Sequence, residues 1–518
     1  MKKIRFKILI LGLVAGVSLQ SCKKQLDLPS LNSLDASLAL TKKAGIESAL
    51  NSVYSILKRE AFYGRDLFSV TDAMADIAFA NNRSARLISE NRNTANITTA
   101  VWSGAYGGIN EINLTLAALP LVTDATPADV TRLDGELKFM RAFLLFELVR
   151  NYSYIPTFVV PSQDRGGVVI NLVGFNNPTD AVAYMPARAT IADCYAQVMS
   201  DLYSSISQLS SSNRGRNYAS KHAGLALGAR VNLYAGNWAK ADSFATAAIT
   251  LTGGIGAMTN TGNYVAGWRN ADHPEGIFQV YFATLAENLG VNTSLAATHT
   301  TLKTPGGINN FWETRQGQGD LMPNAFLLGQ LGITGHNFNS NLTSSSTQPT
   351  TANPAGTPPP TLTYGSDIRN RLFEWGVNAG GHYVECTKWF GKAGAANWDH
   401  TVLFRWPELY LTRAEARYHM LNEPDAMLDL NVIRTARIVG FAGPATLSGQ
   451  ALLNEILRQR MLEFAFEGHR FYDIKRYGLD IVKANPVINM PATSFRLLPA
   501  LPNNEVVGNP NMVQNFNY

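Results

Sequence analysis

The sequence predicts a mainly α protein, in which a scaffold of helix pairs holds an inserted loop-rich subdomain with short strands. Apolar residues recur at helical spacing in three segments, residues 133–148, 223–251 and 405–437. Between about residues 253 and 400 this periodicity fades, and glycine, asparagine, threonine and aromatic residues dominate. We therefore expect a helical scaffold over residues 41–252, a loop-rich ligand-binding insert over 253–400, and a helical segment and tail over 401–518 that complete the scaffold.

The first 22 residues have the features of a secretory signal peptide. Residues 2–7 carry four basic groups and no acid, and residues 8–17 are apolar apart from two glycines. This apolar core is too short for a stable membrane span. Cys22 follows Leu19-Gln20-Ser21, where the cleavage site belongs, which favours acylation of this cysteine over ordinary cleavage. We predict a signal peptide over residues 1–21 and a tether over 22–40 that is held in a lipid bilayer through Cys22.

The charge and cysteine content restrict the class of protein. Removal of residues 1–21 lowers the formal charge from +5 to +1, so the basic balance belongs to the signal peptide and indicates no nucleic-acid partner. An apolar fraction of 46% is typical of a globular protein. Cys194 and Cys386 are too few for a disulfide framework, and we interpret them as buried small hydrophobic residues rather than a bridge.

The long helix of the first half has clear start and stop signals. Pro127 and Asp129 favour a start, and Pro156 indicates the end. Between them one helical stripe is apolar, formed by Leu133, Leu137, Met140, Leu144 and Leu148. This pattern predicts a helix that buries one face in the core.

Two later segments each predict a pair of antiparallel helices. Residues 223–251 are interrupted at Gly236-Asn237-Trp238, and small residues recur on both sides of this turn. Small residues let two helices approach closely, and the pattern resembles a tetratricopeptide hairpin. Residues 405–437 repeat the plan with Asn422-Glu423-Pro424 at the turn, where Pro424 suits the first turn of a helix. The scaffold is therefore predicted to be tetratricopeptide-like.

Segments along nearly the whole chain match the motifs of one known family. The most specific of them is Glu463-Phe464-Ala465-Phe466-Glu467-Gly468-His469-Arg470-Phe471-Tyr472-Asp473. The others, in chain order, are Leu26-Asp27-Leu28-Pro29, residues 102–113, residues 135–152, residues 405–416 and residues 497–515. Through these matches, which occur in the right order, the chain resembles the RagB/SusD family of nutrient-uptake outer-membrane lipoproteins.

The resemblance implies a function in nutrient uptake at the outer membrane. It implies a lipid-anchored protein that faces the cell exterior, binds an oligosaccharide and hands it to a partner TonB-dependent transporter, with no cofactor, no metal and no catalysis. Lys23 and Lys24 follow Cys22 where surface-exported members often carry acids, which leaves the export route open. Two other classes also stay open, a peptide- or protein-binding uptake lipoprotein and a glycoside-active enzyme.

One pair of carboxylates resembles the catalytic pair of an enzyme. Glu463 and Glu467 are four residues apart, which on a helix brings them within the distance typical of a retaining glycosidase. Arg460 and Arg470 lie three residues to either side and are expected to keep both glutamates ionised, whereas a general acid needs a raised pKa. We interpret these four residues as a structural ion-pair network.

Aromatic residues of the insert are the candidate ligand-binding residues. A sugar ring stacks its apolar face on an aromatic side chain, while asparagine, aspartate and arginine bond its hydroxyls. Trp268, Trp312 and Trp375 lie in glycine- and asparagine-rich surroundings, and Arg315 follows Trp312 closely. A further polar cluster falls where the resemblance places part of the ligand face, and it consists of Asp76, Asn81, Asn82 and Arg83. The alternative for each tryptophan is core packing.

Overall fold

The computed structural model describes residues 40–81, 84–211, 213–251, 258–307, 309–336, 358–377, 382–443, 446–483 and 489–518. Cys22, Asn82 and Arg83 lie outside these ranges. The described residues are mainly helical, with short strands in two-stranded ladders, as the sequence predicts. None of the described helices is both long enough and apolar enough to cross a membrane.

The helices are numbered here in chain order. They are α1 Lys43–Ile56, α2 Asp66–Met74, α3 Ile88–Asn91, α4 Thr99–Ala118, α5 Pro127–Tyr152, α6 Pro178–Ala183, α7 Ile191–Gln208, α8 Lys221–Tyr234, α9 Trp238–Leu251, α10 Tyr264–Arg269, α11 Gly290–Thr293, α12 Leu295–His299, α13 Ala325–Gln330, α14 Trp406–His419, α15 Glu423–Arg437, α16 Gly449–Glu463, α17 Arg470–Tyr477 and α18 Asn503–Gly508. The strands are β1 Ala78–Ala80, β2 Gly276–Val280, β3 Leu321–Pro323, β4 Ile333–Thr334, β5 Thr363–Tyr364, β6 Phe373–Trp375, β7 Val384–Cys386 and β8 Thr401–Arg405.

Helix α5 starts where its sequence signals predict. Thr126 caps the helix through a capping box with Asp129, in which each side chain accepts the other residue's backbone N–H, and Pro127 occupies the first helical position. All five residues of the predicted apolar stripe are fully buried. The helix ends at Tyr152, four residues before Pro156, and Ser153 is already extended.

The two predicted helix pairs are present as α8–α9 and α14–α15. A Cβ on Gly228 of α8 would lie 2.6 Å from the Phe244 ring of α9, so the close approach of these helices requires the glycine. The pairs pack on each other through α9 and α14, where Trp238 stacks on His419 with ring centroids 4.0 Å apart. The prediction of tetratricopeptide-like helix pairs is confirmed.

Strands β2 and β8 join the two ends of the loop-rich region to the helical core. They pair antiparallel, and Phe278 and Phe404 extend from them into the core beside α5. The Phe278 ring meets Phe139 edge to face at 5.3 Å, and the Phe404 ring meets Phe143 at 6.1 Å. The intervening loops are therefore held on the scaffold by a buried aromatic cluster.

A second antiparallel ladder, β1 with β3, connects the region after α2 to the loop-rich region. Ala78 pairs with Pro323 and Ala80 with Leu321. This register places Asn81, Ser84 and Arg86 beside Gly319 and Asp320, although the two segments are more than 200 positions apart in the chain. The ladders β4–β5 and β6–β7 organise the remaining loops.

Both cysteines of the described residues are free and buried, as interpreted from the sequence. Burial raises the pKa of Cys194 to about 11 and that of Cys386 to about 12, so both thiols stay protonated and unreactive at neutral pH.

Candidate ligand-binding face

Trp268 is not a surface aromatic, and its prediction as a ligand-binding plate is wrong. The side chain is fully buried on α10 and meets Trp389 edge to face at 5.6 Å. Lys388 Nζ and Lys392 Nζ lie 4.8 and 5.0 Å from its ring centroid, so its face already binds cations. Arg269, the next residue in the chain, donates to the Thr387 carbonyl and to Glu374.

Trp312 is the exposed aromatic among the three predicted tryptophans. It ends a single 3₁₀ turn, Asn310–Trp312, and 46% of the residue is accessible to solvent. Its ring is held from the side by Phe311 and His382, each with centroids 5.2 Å away. The His382 Nδ1 lies 2.9 Å from the Gly376 carbonyl, which orients that ring. Trp312 is thus a supported, solvent-facing plate.

A cleft of about 410 Å³ lies beside Trp312. Phe311 belongs to its wall, and the described residues that line it are Gly307, Asn309, Phe311, Pro359, Pro360, Thr361, Leu362, Tyr364, Glu374 and Trp375. Trp375 is half-buried, and its indole N–H donates to the Pro360 carbonyl at 2.7 Å. Because this donor is engaged, Trp375 can offer a ligand only its ring surface.

The polar groups of the cleft are of two kinds. Glu374 accepts bonds from Arg269, from the Thr387 hydroxyl and from the Gly306 backbone, so its carboxylate is a structural acceptor. Asn309 and Thr361 are exposed, and no hydrogen bond to their side chains is found among the described residues. These two side chains are available for ligand hydroxyls.

In the polar cluster predicted around residue 80, Asp76 and Asn81 have different partners within the protein. Asp76 forms a bidentate ion pair with Arg470, with distances of 2.8 and 2.6 Å. Asn81 is buried, and its side-chain amide donates to the Gly319 carbonyl while its backbone N–H donates to the Asp320 carbonyl. Both predicted ligand residues therefore hold parts of the protein together. Asp76 accepts from Arg470 of α17, and the β1–β3 ladder brings the Gly319 and Asp320 carbonyls to Asn81.

Arg315 also has a structural role. Its guanidinium donates to the carbonyls of Gly317 and Gln318 at 2.6 and 3.0 Å, which fixes the loop that follows Trp312. Arg315 is predicted to bind ligand directly, but in the structure it holds this loop in place.

Sequence reasoning missed Arg86, which lies at Asp320 beside the predicted residue Asn81. Its Nε donates to Asp320 at 3.0 Å and its Nη1 donates to the Asn292 carbonyl at 2.8 Å, while its side chain stays 28% exposed. The signal that could have found it is its position at the end of the polar run that starts at Asn81.

Glu463 and Glu467 are both buried, but they do not share a helix. Helix α16 ends at Glu463, and the chain then turns through Phe466 and Gly468 with φ of +64° and +72°. Glu463 accepts bonds from Arg437 at 3.0 Å, from Arg369 at 3.3 Å and from Arg405. Glu467 pairs with Lys388 at 2.6 Å and with Arg405 at 2.7 Å.

The arginines predicted as partners of these glutamates pair elsewhere. Arg460 lies 3.3 Å from Asp473, and Arg470 pairs with Asp76. Although burial alone raises the pKa of Glu463, the guanidiniums of Arg437, Arg405 and Arg369 hold that pKa well below its usual range. An acid held in this state cannot donate a proton to a leaving group near neutral pH.

Two family models match the chain. The model described as "Starch-binding associating with outer membrane" matches residues 26–233, and the model described as "SusD family" matches residues 374–493. The chain is also 24% identical over 499 residues to SusD-like protein P2 of Formosa agariphila, a match that covers 91% of this chain and 92% of that protein.

Solved structures share the fold. A SusD superfamily protein from Bacteroides thetaiotaomicron is 23% identical, with a TM-score of 0.74 over 92% of this chain and 99% of that chain. A laminarin-binding SusD-like protein is 19% identical, with a TM-score of 0.67 over 92% of this chain and 100% of that chain. Family models at both ends of the sequence, a full-length relative and a shared fold agree, and the chain belongs to the SusD/RagB family.

Proposed function

We propose that this protein captures an oligosaccharide on the face around Trp312 and delivers it to a partner TonB-dependent transporter in the outer membrane. The observation that carries the proposal is a solvent-facing tryptophan beside a cleft with two further aromatic walls, Phe311 and Trp375. A sugar ring stacks on such plates, and Asn309 and Thr361 supply free polar groups for its hydroxyls. A matching family model that is described as starch-binding and a laminarin-binding protein of the same fold favour a glycan as the cargo.

We propose binding without hydrolysis. The one pair of carboxylates that suggested a glycosidase, Glu463 and Glu467, is buried and engaged by Arg405, Lys388 and other cations. The pKa of Glu463 is shifted in the direction opposite to that of a general acid. Among the described residues that line the aromatic cleft, Glu374 is the single carboxylate, and it accepts bonds from the protein.

Trp312→Ala is expected to weaken glycan binding by several-fold to a hundred-fold and to leave the melting temperature nearly unchanged. Stacking on an aromatic ring contributes on the order of 1 kcal/mol beyond the area it buries, and small-ligand sites concentrate this energy in few residues. The measurement is calorimetric titration with laminarin and starch oligosaccharides, paired with a thermal melt. Tyr203→Ala is the matched control, because Tyr203 is also about half exposed but lies on α7 of the scaffold.

Two results would contradict the proposal. One is a parent protein that binds no member of the glycan panel, and the other is a Trp312→Ala variant that binds glycan as tightly as Tyr203→Ala. Preferential binding of unstructured peptides over glycans would favour the alternative of a peptide-uptake lipoprotein.

Cys22→Ala is expected to move the protein from the membrane fraction to the soluble fraction. In our proposal the acyl chains on Cys22 supply the membrane affinity of the protein. Replacing Cys22 removes all of these chains. The measurement is fractionation of cells that lack the partner transporter, with Lys24→Ala as the control that keeps the cysteine. A Cys22→Ala protein that stays with the membrane would show that another element anchors the chain.

A further inference from the structure

A second pocket, of about 500 Å³, lies away from the candidate ligand-binding face, between α4, α6 and α18. Its floor is built from the helical core. Trp102 is buried there against Tyr106 and Tyr152, with centroids 4.8 and 5.1 Å away. The Tyr106 hydroxyl donates to the Val169 carbonyl at 2.8 Å. Because these floor residues are fixed by core packing and hydrogen bonds, the pocket is preformed.

The rim of this pocket exposes large apolar side chains. Six of them, each between 37% and 77% exposed, occur in three short segments, and they are Leu172, Val173, Val182, Tyr184, Met185 and Val507. Val182, Tyr184 and Met185 line the pocket directly. Leu172 and Val507 are next to the lining residues Asn171 and Gly508 in the chain, and Val173 lies between Asn171 and Phe175. Exposed apolar side chains gathered around a pocket are unfavourable in water and are typical of a site of interaction with another molecule.

The chemistry of the rim argues against a second sugar site. Five of the six exposed rim side chains are aliphatic and have no aromatic face on which a sugar ring could stack. Trp102, the largest aromatic of the pocket, is almost completely buried. The rim is suited to apolar side chains rather than to a sugar.

The charge of the pocket argues against a lipid surface. Glu505 is the single charged residue among the described lining residues, and Asp180 adjoins the lining residue Ala181. Surfaces that bind anionic headgroups carry lysine and arginine around their apolar residues, and here the charges have the opposite sign.

Glu505 also indicates what the occupant carries. No hydrogen bond or ion pair engages its carboxylate within the described part of the chain. Glu505 lines the same pocket as Trp102 and Tyr106, and after burial its charge is a further cause that raises the pKa of Tyr106. An unpaired carboxylate at the edge of an apolar pocket is complementary to a cationic group beside an apolar one.

We propose that this pocket docks a protein partner that inserts one large apolar side chain and places a lysine or arginine opposite Glu505. Anchors of this type, a large side chain in a preformed pocket surrounded by a rim that excludes water, dominate the energy of protein interfaces. The inference does not rest on glycan binding, because none of its residues belongs to the cleft beside Trp312.

The test is site-specific photocrosslinking with the full-length lipidated protein in the cells that produce it. A photoreactive p-benzoylphenylalanine replaces Val182 or Val507 on the rim, and a third protein carries it at the exposed Leu428 of α15 as the control. Both rim positions are expected to crosslink to one segment of one protein, with an apolar residue within three positions of a lysine or arginine. The control position is expected to give no such product.

Two variants separate the contributions of charge and shape. Glu505→Lys is expected to lower the crosslinking yield at least tenfold, and Ala181→Trp, which fills the pocket from an exposed helix position, is expected to abolish it. Thermal melts confirm that both variants fold, since neither residue is buried. Crosslinks to lipid, to a second copy of this chain or to a segment without a basic residue would overturn the proposal, as would an absence of crosslinks or a yield insensitive to Glu505→Lys.

Discussion

Glu463→Ala is expected to lower the free energy of unfolding by about 3–5 kcal/mol, because it removes one member of a fully buried charge network. The carboxylate is shared by Arg369, Arg405 and Arg437, and all four side chains are at most 2% exposed. In the parent, these arginines and Lys388 are balanced by Glu463, Glu467, Glu275 and Asp367. Removing Glu463 leaves one buried positive charge without compensation.

Urea unfolding followed by circular dichroism measures this effect. Glu455→Ala is the matched control on the same helix, because Glu455 pairs with the partly exposed Arg458. Its expected loss is at most about 1 kcal/mol. Glu463→Gln keeps the shape but loses the charge and is expected to be nearly as unstable as Glu463→Ala. Equal losses for Glu463→Ala and Glu455→Ala would show that the network does not stabilise the fold.

The helical scaffold was predictable because its signals are local. A capping box at Thr126, a glycine with φ of +70° at Gly236 and a proline at the start of α15 each act within one helical turn. The apolar stripe along each helix predicts which face is buried, since that face packs against the core. Only a few neighbouring residues are needed to interpret such signals.

The ion-pair network shows the limit of local reasoning. The sequence correctly suggests that Glu463 and Glu467 sit among cations, but it suggests the nearest ones in the chain. The actual partner of both, Arg405, is about 60 residues away and reaches them because β8 pairs with β2. Which charges meet is decided by the tertiary fold, and spacing along one helix contains no information about it.

The tryptophans show the same limit for the ligand face. Trp268 and Trp312 have similar sequence contexts, each with an arginine within three residues and neither on a helical stripe. One is fully buried and the other is 46% exposed. In a loop-rich region, burial is decided by which segments pack on a residue. Here Trp389 and Lys388, more than 100 positions away in the chain, cover Trp268.

The consequence is that Trp268→Ala and Trp312→Ala are expected to have opposite effects. Trp268→Ala is expected to lower the free energy of unfolding by about 3–5 kcal/mol, because it opens a cavity in a packed core. It also removes the aromatic face that contacts Lys388, Lys392 and, at 5.5 Å, Arg405. These buried cations then lose a favourable partner in surroundings where water does not replace it.

Trp268→Phe tests whether an aromatic ring at this position is sufficient for stability. The indole N–H of Trp268 has no acceptor among the described residues, so the replacement sacrifices no hydrogen bond. We therefore expect Trp268→Phe to recover most of the stability lost in Trp268→Ala, since a six-membered aromatic face remains for the cations. Thermal and urea unfolding of the two variants, with glycan titration of each folded protein, decide the question. If the Trp268→Ala protein melts like the parent and yet fails to bind glycan, Trp268 belongs to the ligand-binding site. Early melting with glycan affinity retained by the folded protein would assign it to the core, because a buried ring acts on the ligand only through the fold it stabilises.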